Sequence, residues 1–533
     1  MKQKELESGG IFLELIKKNV HMDRKKCSAV TQLTVDDDYN IPDGKSDIDR
    51  VILDKGEIRI DEVKASEDHV NIKGCLHFSL LYQSGATEKN IHSLDGEVEF
   101  EEFVHMEGAK PGDTPIVKSD LEDLTINVIN NRKLSIQAIT TLHVSIEELF
   151  DEETTVDILC AEMLEYRKKP MDIVEIAVQK KDIYRIKEEI VLPSNLPNIF
   201  EILWESVRLE QIELKPLDGK ISVQGEVAAF ILYEAEGEEA KVQWHESRLP
   251  FSGTVDCHGC VEGMISDIAI SAIHKELEMK PDYDGEERVV AIDMVLDLDI
   301  KLYKEEFVEI LTDVYGVTKE VETRTQIGSY KNLRMKNSAK CREDERIRIN
   351  NTGARILQIC TSEGTVKIDE TQIMENGIKI TGAVEVQVLY VTADDKIPFF
   401  SMKGSIPFEH TIEIPGIEKN SIYEIESSLE QLITNMIDSE EIEVKIVLNL
   451  QALVFDKMEE NIISEISLKD LDPEKLKDLP GIVGYIVKEG DTLWQIGKKY
   501  YVSIQQLKEL NELNTPEVKA GDKLLIVKTL GQL

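Results

Sequence analysis

The sequence lacks the marks of a nucleic-acid binder, a membrane protein and most kinds of enzyme. Lysine and arginine total 62 against 103 aspartates and glutamates, a net charge of −41. Such a surface repels phosphate backbones and anionic lipid, so nucleic acid is not an expected partner. No run approaches the ~20 apolar residues that span a bilayer, and the chain is not expected to be membrane-spanning. The apolar stretch near the N-terminus, Ile11 to Ile16, is short, broken by Glu14 and preceded by acids, unlike a secretory signal. The seven cysteines are odd in number and scattered, which excludes a disulfide framework and agrees with a cytoplasmic protein. Histidines number ten, little material for a nucleophilic triad. There is no Gly-x-Ser-x-Gly elbow and no His-Glu-x-x-His.

Two fragments imitate functional motifs. Gly44-Lys45-Ser46 ends like a phosphate-binding loop, but the glycine required five residues earlier is Tyr39, so the backbone cradle is missing. Cys257-His258-Gly259-Cys260 has the spacing of a zinc or redox pair, yet zinc takes four ligands and no second pair follows. The repeat register described next puts Met106 and Ile414 where Cys257 stands, so no shared function attaches to it. The expectation is a protein with no enzymatic activity, no cofactor and no metal.

What the sequence does have is one unit written three times. Val70 to Tyr82, Ile221 to Tyr233 and Ile378 to Tyr390 each place a glycine (Gly74, Gly225, Gly382) eight residues before the Tyr of a Leu-Tyr pair, at offsets of 151 and 157 residues. The same offsets align Ile41 with Leu192 and Ile349, and Phe100 with Phe251 and Phe408. Within the first copy Val70, Ile72, Leu76, Phe78, Leu80 and Tyr82 alternate with mostly polar residues, the period of a strand with one buried face. The mid-strand glycine predicts a bulge or a close backbone approach. The shared tyrosine reads as a core-edge residue whose hydroxyl meets backbone or solvent, with a shared ligand contact as the alternative. Each copy closes on a second alternating run: Leu134 to Val144, Val290 to Leu302, Ile442 to Val454. Ile422, Ile425, Leu429, Leu432 and Met436 follow helical spacing instead, so each unit is given room for a helix. The expected fold is mainly β: three tandem, β-rich, sandwich-like domains with some helix, plus a C-terminal α+β module. The expected division is 1–150, 151–311 and 312–456 for the repeats, a charge-rich linker over 457–481 and the terminal module over 482–533.

That module carries seven lysines and six acids, close to neutral on a strongly acidic body. Tyr485 to Lys488 reads as a strand and Gly490 as a turn. Asp491 or Thr492 caps a helix lined by Leu493, Ile496 and Tyr500. Ser503 with Gln506 opens a second helix, and Gly521-Asp522 turns into a last strand, for the order βααβ. The stretch from Tyr485 to Val527 resembles a LysM domain in Gly490-Asp491-Thr492-Leu493-Trp494, in the helix end Leu507 to Asn511 and in Gly521-Asp522-Lys523-Leu524. LysM modules bind N-acetylglucosamine polymers in a shallow groove. The resemblance implies a groove of Gly490, Asp491, Thr492 and Trp494 with Leu513, Asn514 and Thr515 opposite. Helix capping is the competing reading of Asp491 and Thr492.

The repeats, with Asp38-Tyr39-Asn40-Ile41-Pro42-Asp43, resemble a three-fold repeated β domain of endospore formers. Three of them before a LysM module are similar to the SipL-like family of spore-coat morphogenetic proteins. That resemblance implies a scaffold in spore coat assembly, in the mother-cell cytoplasm at the outer surface of the developing forespore. The implied partner is SpoIVA, an ATPase that polymerises on that surface, bound through the LysM module, with other coat proteins as further candidates. The competing function is a wall or cortex protein binding peptidoglycan, and a weaker one is a LysM-targeted wall hydrolase. The export signal is the discriminating feature, and its absence makes glycan binding the less expected role.

Overall fold

The fold was obtained as a computed structural model, which describes residues 13–85, 91–237, 241–349, 355–394, 396–472 and 481–528. The first repeat contains β1 (Leu13–Asn40), β2 (Arg50–Ser66), β3 (His69–Gln83), β4 (Ile91–His105), β5 (Pro115–Asn130) and β6 (Lys133–Cys160). The second contains β7 (Leu164–Val191), β8 (Ile199–Leu217), β9 (Lys220–Ala235), β10 (Val242–Asp256), β11 (Ile265–Pro281) and β12 (Glu287–Gly316). The third contains β13 (Lys319–Arg348), β14 (Ile356–Met374), β15 (Gly377–Thr392), β16 (Phe399–Glu413), β17 (Ile422–Met436) and β18 (Glu441–Asp470). In every repeat the second to fourth strands form one antiparallel three-stranded sheet, and the last strand sits between the first and the fifth in another. The two sheets face each other over one apolar core per repeat, the expected sandwich.

The shared residues explain one another. Gly74, Gly225 and Gly382 pair directly with Phe100, Phe251 and Phe408 on the neighbouring strand. A Cβ at Gly74 would collide with the Arg59 carbonyl oxygen and come within 2.9 Å of the Phe100 ring. The ring thus lies over the bare glycine and covers it, while a register shift falls beside the glycine on the opposite strand, between Ile60 and Glu62. Tyr82, Tyr233 and Tyr390 are fully buried. The first two donate their hydroxyls to the carbonyls of Ser46 (3.1 Å) and Pro197 (3.2 Å), which are matching positions in the repeat register. Cys257 and Cys260 are buried in a turn of the second repeat, and burial pushes the Cys260 thiol up. Among the described residues no group of three or more His, Cys, Asp or Glu side chains is placed to hold a metal ion.

The predicted helix over 422–436 is instead strand β17. A register shift between Leu429 and Gln431 switches which side chains face inward. Ile425 and Leu429 pack on the core before it and Leu432 after it, so one bulge inside a period-2 pattern yields the spacings of four and three that read as helical.

The linker expected over 457–481 is also different in its first part: Lys457–Asp470 continues β18, while residues 473–480 lie outside the described residues. The first and last strands of each repeat outrun their neighbours. β5 stops opposite Ile146, and beyond it β6 pairs only with β1, out to Leu13 against Cys160. The same holds for β7 with β12 and for β13 with β18. Each repeat therefore extends a two-stranded arm from its sandwich, and a register shift marks the base of each arm. An isolated hairpin is barely stable in water. These arms pack on each other, burying Val20, Met22, Ile173, Ile310, Tyr330 and Ile462 together. Tyr330 and Thr154 share a 2.7 Å hydroxyl bond between arms. The outer faces of the smaller sheets also meet, through Leu53, Leu81, Trp204, Phe230, Leu232, Leu389 and Phe399. This is why Leu81, out of phase with the alternation, is buried.

One inter-repeat contact is proton-dependent. Asp267 of β11 lies against Glu424 and Glu426 of β17, with Lys301 of β12 nearby. Burial, reinforced by Glu424, raises the Asp267 carboxyl from 3.8 to about 7. Between those values the folded chain keeps a proton that the unfolded chain releases. The stability this confers is complete at acid pH and is lost as pH rises towards 7. Asp267→Asn removes the charge, and the urea midpoint at pH 8 should rise by the equivalent of about 2–4 kcal/mol, with little change at pH 4. An unchanged midpoint at pH 8 would refute the raised Asp267 carboxyl.

Candidate functional site

The terminal module is built as its sequence pattern predicts. β19 (Ile482–Ile486) pairs antiparallel with β20 (Lys523–Val527), and α1 (Leu493–Tyr500) and α2 (Ile504–Leu510) lie between them. Val487, Leu493, Ile496, Val502, Leu507, Leu524 and Ile526 form its core. Gly490 turns the chain at φ +86°. Thr492 then caps α1: its Oγ1 accepts from Gln495 N (3.2 Å), and Gln495 Oε1 accepts from Thr492 N (3.1 Å). Asp491 Oδ2 accepts from the Tyr485 hydroxyl (2.6 Å) and from Lys488 N (2.8 Å). Those bonds hold the carboxyl below its ordinary range and push the Tyr485 phenol up to about 12. Ser503 caps α2 by accepting from Gln506 N, and Asn511 ties the end of α2 to the backbone of Leu525.

Of the seven residues named for the groove, Gly490, Thr492, Asn514 and Thr515 are exposed and Asp491 is half-buried. Leu513 packs on the module core. Trp494 is also half-buried, but against a different part of the chain. Its indole Nε1–H donates to Asp313 Oδ2 at 2.6 Å, its ring meets Tyr315 edge-on with centroids 4.9 Å apart, and the Arg167 guanidinium lies 5.7 Å over its face.

The second arm thus provides a seat for α1. Lys498 Nζ donates to Asp313 Oδ1 at 2.6 Å, and the Tyr315 hydroxyl donates to the Val502 carbonyl at 2.9 Å. On the facing strand of the arm, the Glu165 carboxylate accepts from Ile504 N, one of the amides that a helix start leaves without an intrahelical partner. Burial pushes the Asp313 carboxyl up, but the bonds from Lys498 and Trp494 outweigh it and hold the group below its ordinary range. The Tyr315 phenol and the Glu165 carboxyl, both desolvated, are raised. Sequence reasoning missed Asp313, Tyr315, Arg167 and Glu165. The one available signal was Gly497, an unexplained glycine inside a short helix.

The three repeats match the SipL SPOCS domain, over residues 47–129, 198–280 and 355–437. Residues 485–527 match the LysM domain. No solved structure matches the chain. Both matched domains are of non-catalytic, binding kinds, and among the described residues no helix is long and apolar enough to cross a membrane.

Proposed function

Because the chain is a SipL-like protein, three SPOCS domains followed by a LysM domain, we propose that it is a non-enzymatic adaptor of spore coat assembly. Its LysM module binds the SpoIVA-type coat ATPase and tethers coat to the forespore surface, on the mother-cell side. The observation that carries this reading is the domain order itself, a sporulation-type repeat body ending in one binding module. Charge supports a protein partner. The module is near neutral, and the body repels anionic polymers. Trp494, beside the Gly490–Thr492 turn, is an aromatic residue of the type that dominates interface energies, and it serves a partner once freed from its contacts with Asp313 and Tyr315.

The second reading, binding of N-acetylglucosamine polymers, draws on the exposed Gly490, Thr492, Asn514 and Thr515. Titrating the full chain with the ATPase and, separately, with N-acetylglucosamine oligomers separates the two. Partner binding is expected, weakened by Trp494→Ala by about 2 kcal/mol or more, roughly thirtyfold, if the indole sits at the interface centre. Tight oligomer binding without partner binding would reverse the reading.

A further inference from the structure

The seat on the second arm has the features of a built recognition site. A register shift between Leu311 and Asp313 skips Thr312 in the pairing with β7, its hydroxyl donating instead to the Arg167 carbonyl at 3.2 Å, and such bulges re-aim the side chains beside them. Asp313 then uses both carboxylate oxygens on the module, one for Trp494 and one for Lys498.

The module side is equally specific. Glycine inside a helix is destabilising relative to alanine, yet Gly497 is buried in the middle of α1. A Cβ there would lie 2.5 Å from the Tyr315 hydroxyl and 2.8 Å from the Val502 carbonyl oxygen, the two atoms that bond each other across the seat.

The other arms provide internal controls. Counted from the register shift near each arm's tip, Asp313 corresponds to Asp157 and Glu465, each the residue just past the shift. All three arms therefore present an acid. Tyr315 corresponds to Leu159 and Ser467, and Arg167 to Ile16 and Arg324. Only the second arm joins acid, aromatic and guanidinium, and that is the arm on which the module sits.

We propose that the α1 face of the LysM module, Trp494 and Lys498 flanking Gly497, is a recognition surface for an acidic strand with a tyrosine two residues after the acid. The tip of the second arm is its resident ligand, and an outside protein reaches that face only by presenting the same chemistry and displacing the tip. The displacement rests on the module being the protein-binding element; the resident contact does not.

The test uses the full chain with ¹⁵N-tryptophan, whose three indole signals come from Trp204, Trp244 and Trp494; Trp494→Phe assigns the last. Asp313→Ala should shift the Trp494 signal and speed its hydrogen exchange at least tenfold, leaving the other two unmoved. Asp157→Ala and Glu465→Ala should leave all three unmoved. A synthetic peptide of residues 309–318, added at millimolar concentration to the Asp313→Ala chain, should move the Trp494 signal back towards its wild-type position. The same peptide with alanine at position 313 should not. A Trp494 signal unmoved by Asp313→Ala, or equally moved by Asp157→Ala, would overturn the resident contact. A signal that ignores the peptide, or answers both peptides alike, would overturn the recognition chemistry. No ATPase enters the experiment, so its failure is distinct from failure of the partner titration.

Discussion

Asp23→Ala is expected to lower the stability of the three-repeat body by about 3–5 kcal/mol, the usual cost of leaving buried charges without their partner. Asp23 sits at the base of the first arm with its side chain 10% exposed. It accepts from Lys331 of the third repeat at 2.5 Å, lies 3.7 Å from Lys301 of the second, and is 3.5 Å from the Tyr303 hydroxyl. Lys301 is itself 9% exposed and also bonded to Glu147 at 2.5 Å. Burial alone would lower the Lys301 ammonium, but Glu147 and Asp23 more than compensate, and its pKa is raised. One carboxylate thus binds lysines from two other repeats, and its loss leaves Lys331, whose side chain is 15% exposed, without a counter-charge. The control is Asp151→Ala, whose partner His21 and own carboxylate are more than half exposed; pairs of that kind contribute at most about 1 kcal/mol. Urea unfolding followed at the first transition decides it. An Asp23→Ala midpoint no lower than that of Asp151→Ala would show that the cluster does not hold the repeats together.

The second large effect is expected in the LysM module. Leu507 is completely buried in a core of seven side chains. A core of that size supplies only ~3–5 kcal/mol, and truncating one buried leucine removes ~2–5 kcal/mol. Leu507→Ala or Leu493→Ala should therefore leave the module largely unfolded while the repeats stay intact. Limited trypsin digestion of the full chain reads this directly. Cleavage at Lys499 in α1 and Lys508 in α2 should become fast in either variant, and the repeat body should survive as one large fragment. The isolated fragment 482–533 is expected to fold, and to lose its helix in the same variants. Resistance of both variants to cleavage would refute the core assignment.

The sandwiches and the LysM module were legible because each rests on short-range periodicity. Alternation from Val70 to Tyr82 and the turn and cap residues from Gly490 to Gln495 require no knowledge of distant contacts. The arms were not legible. Their strands are acid- and lysine-rich, as in Lys457 to Glu465, because an arm of two strands buries only the stripe that meets the other arms. Composition there reads as a linker. In β17 a single bulge changed the apparent period. The site divides in the same way. The Gly490–Thr492 turn follows from local chemistry, whereas the environment of Trp494 is created by Asp313, 181 residues away. No spacing rule connects those two positions. Only the repeat register, once the arms are known, shows that Tyr315 is peculiar to the second copy.

The pairing of first with last strand has a mechanical consequence. Where the chain enters and leaves a repeat it does so at neighbouring residues, Leu13 beside Cys160 and Leu164 beside Gly316. A tether pulled by its ends would load each arm from the tip, and antiparallel strands pulled apart from one end unzip, surrendering one hydrogen-bonded pair after another. Strands loaded in shear must break all of theirs at once. A chain of three such units yields in small steps, paying out slack from its arms before any sandwich is strained. Under tension the tip that carries Asp313 and Tyr315 would be among the first segments to part, which would free the LysM module from its seat.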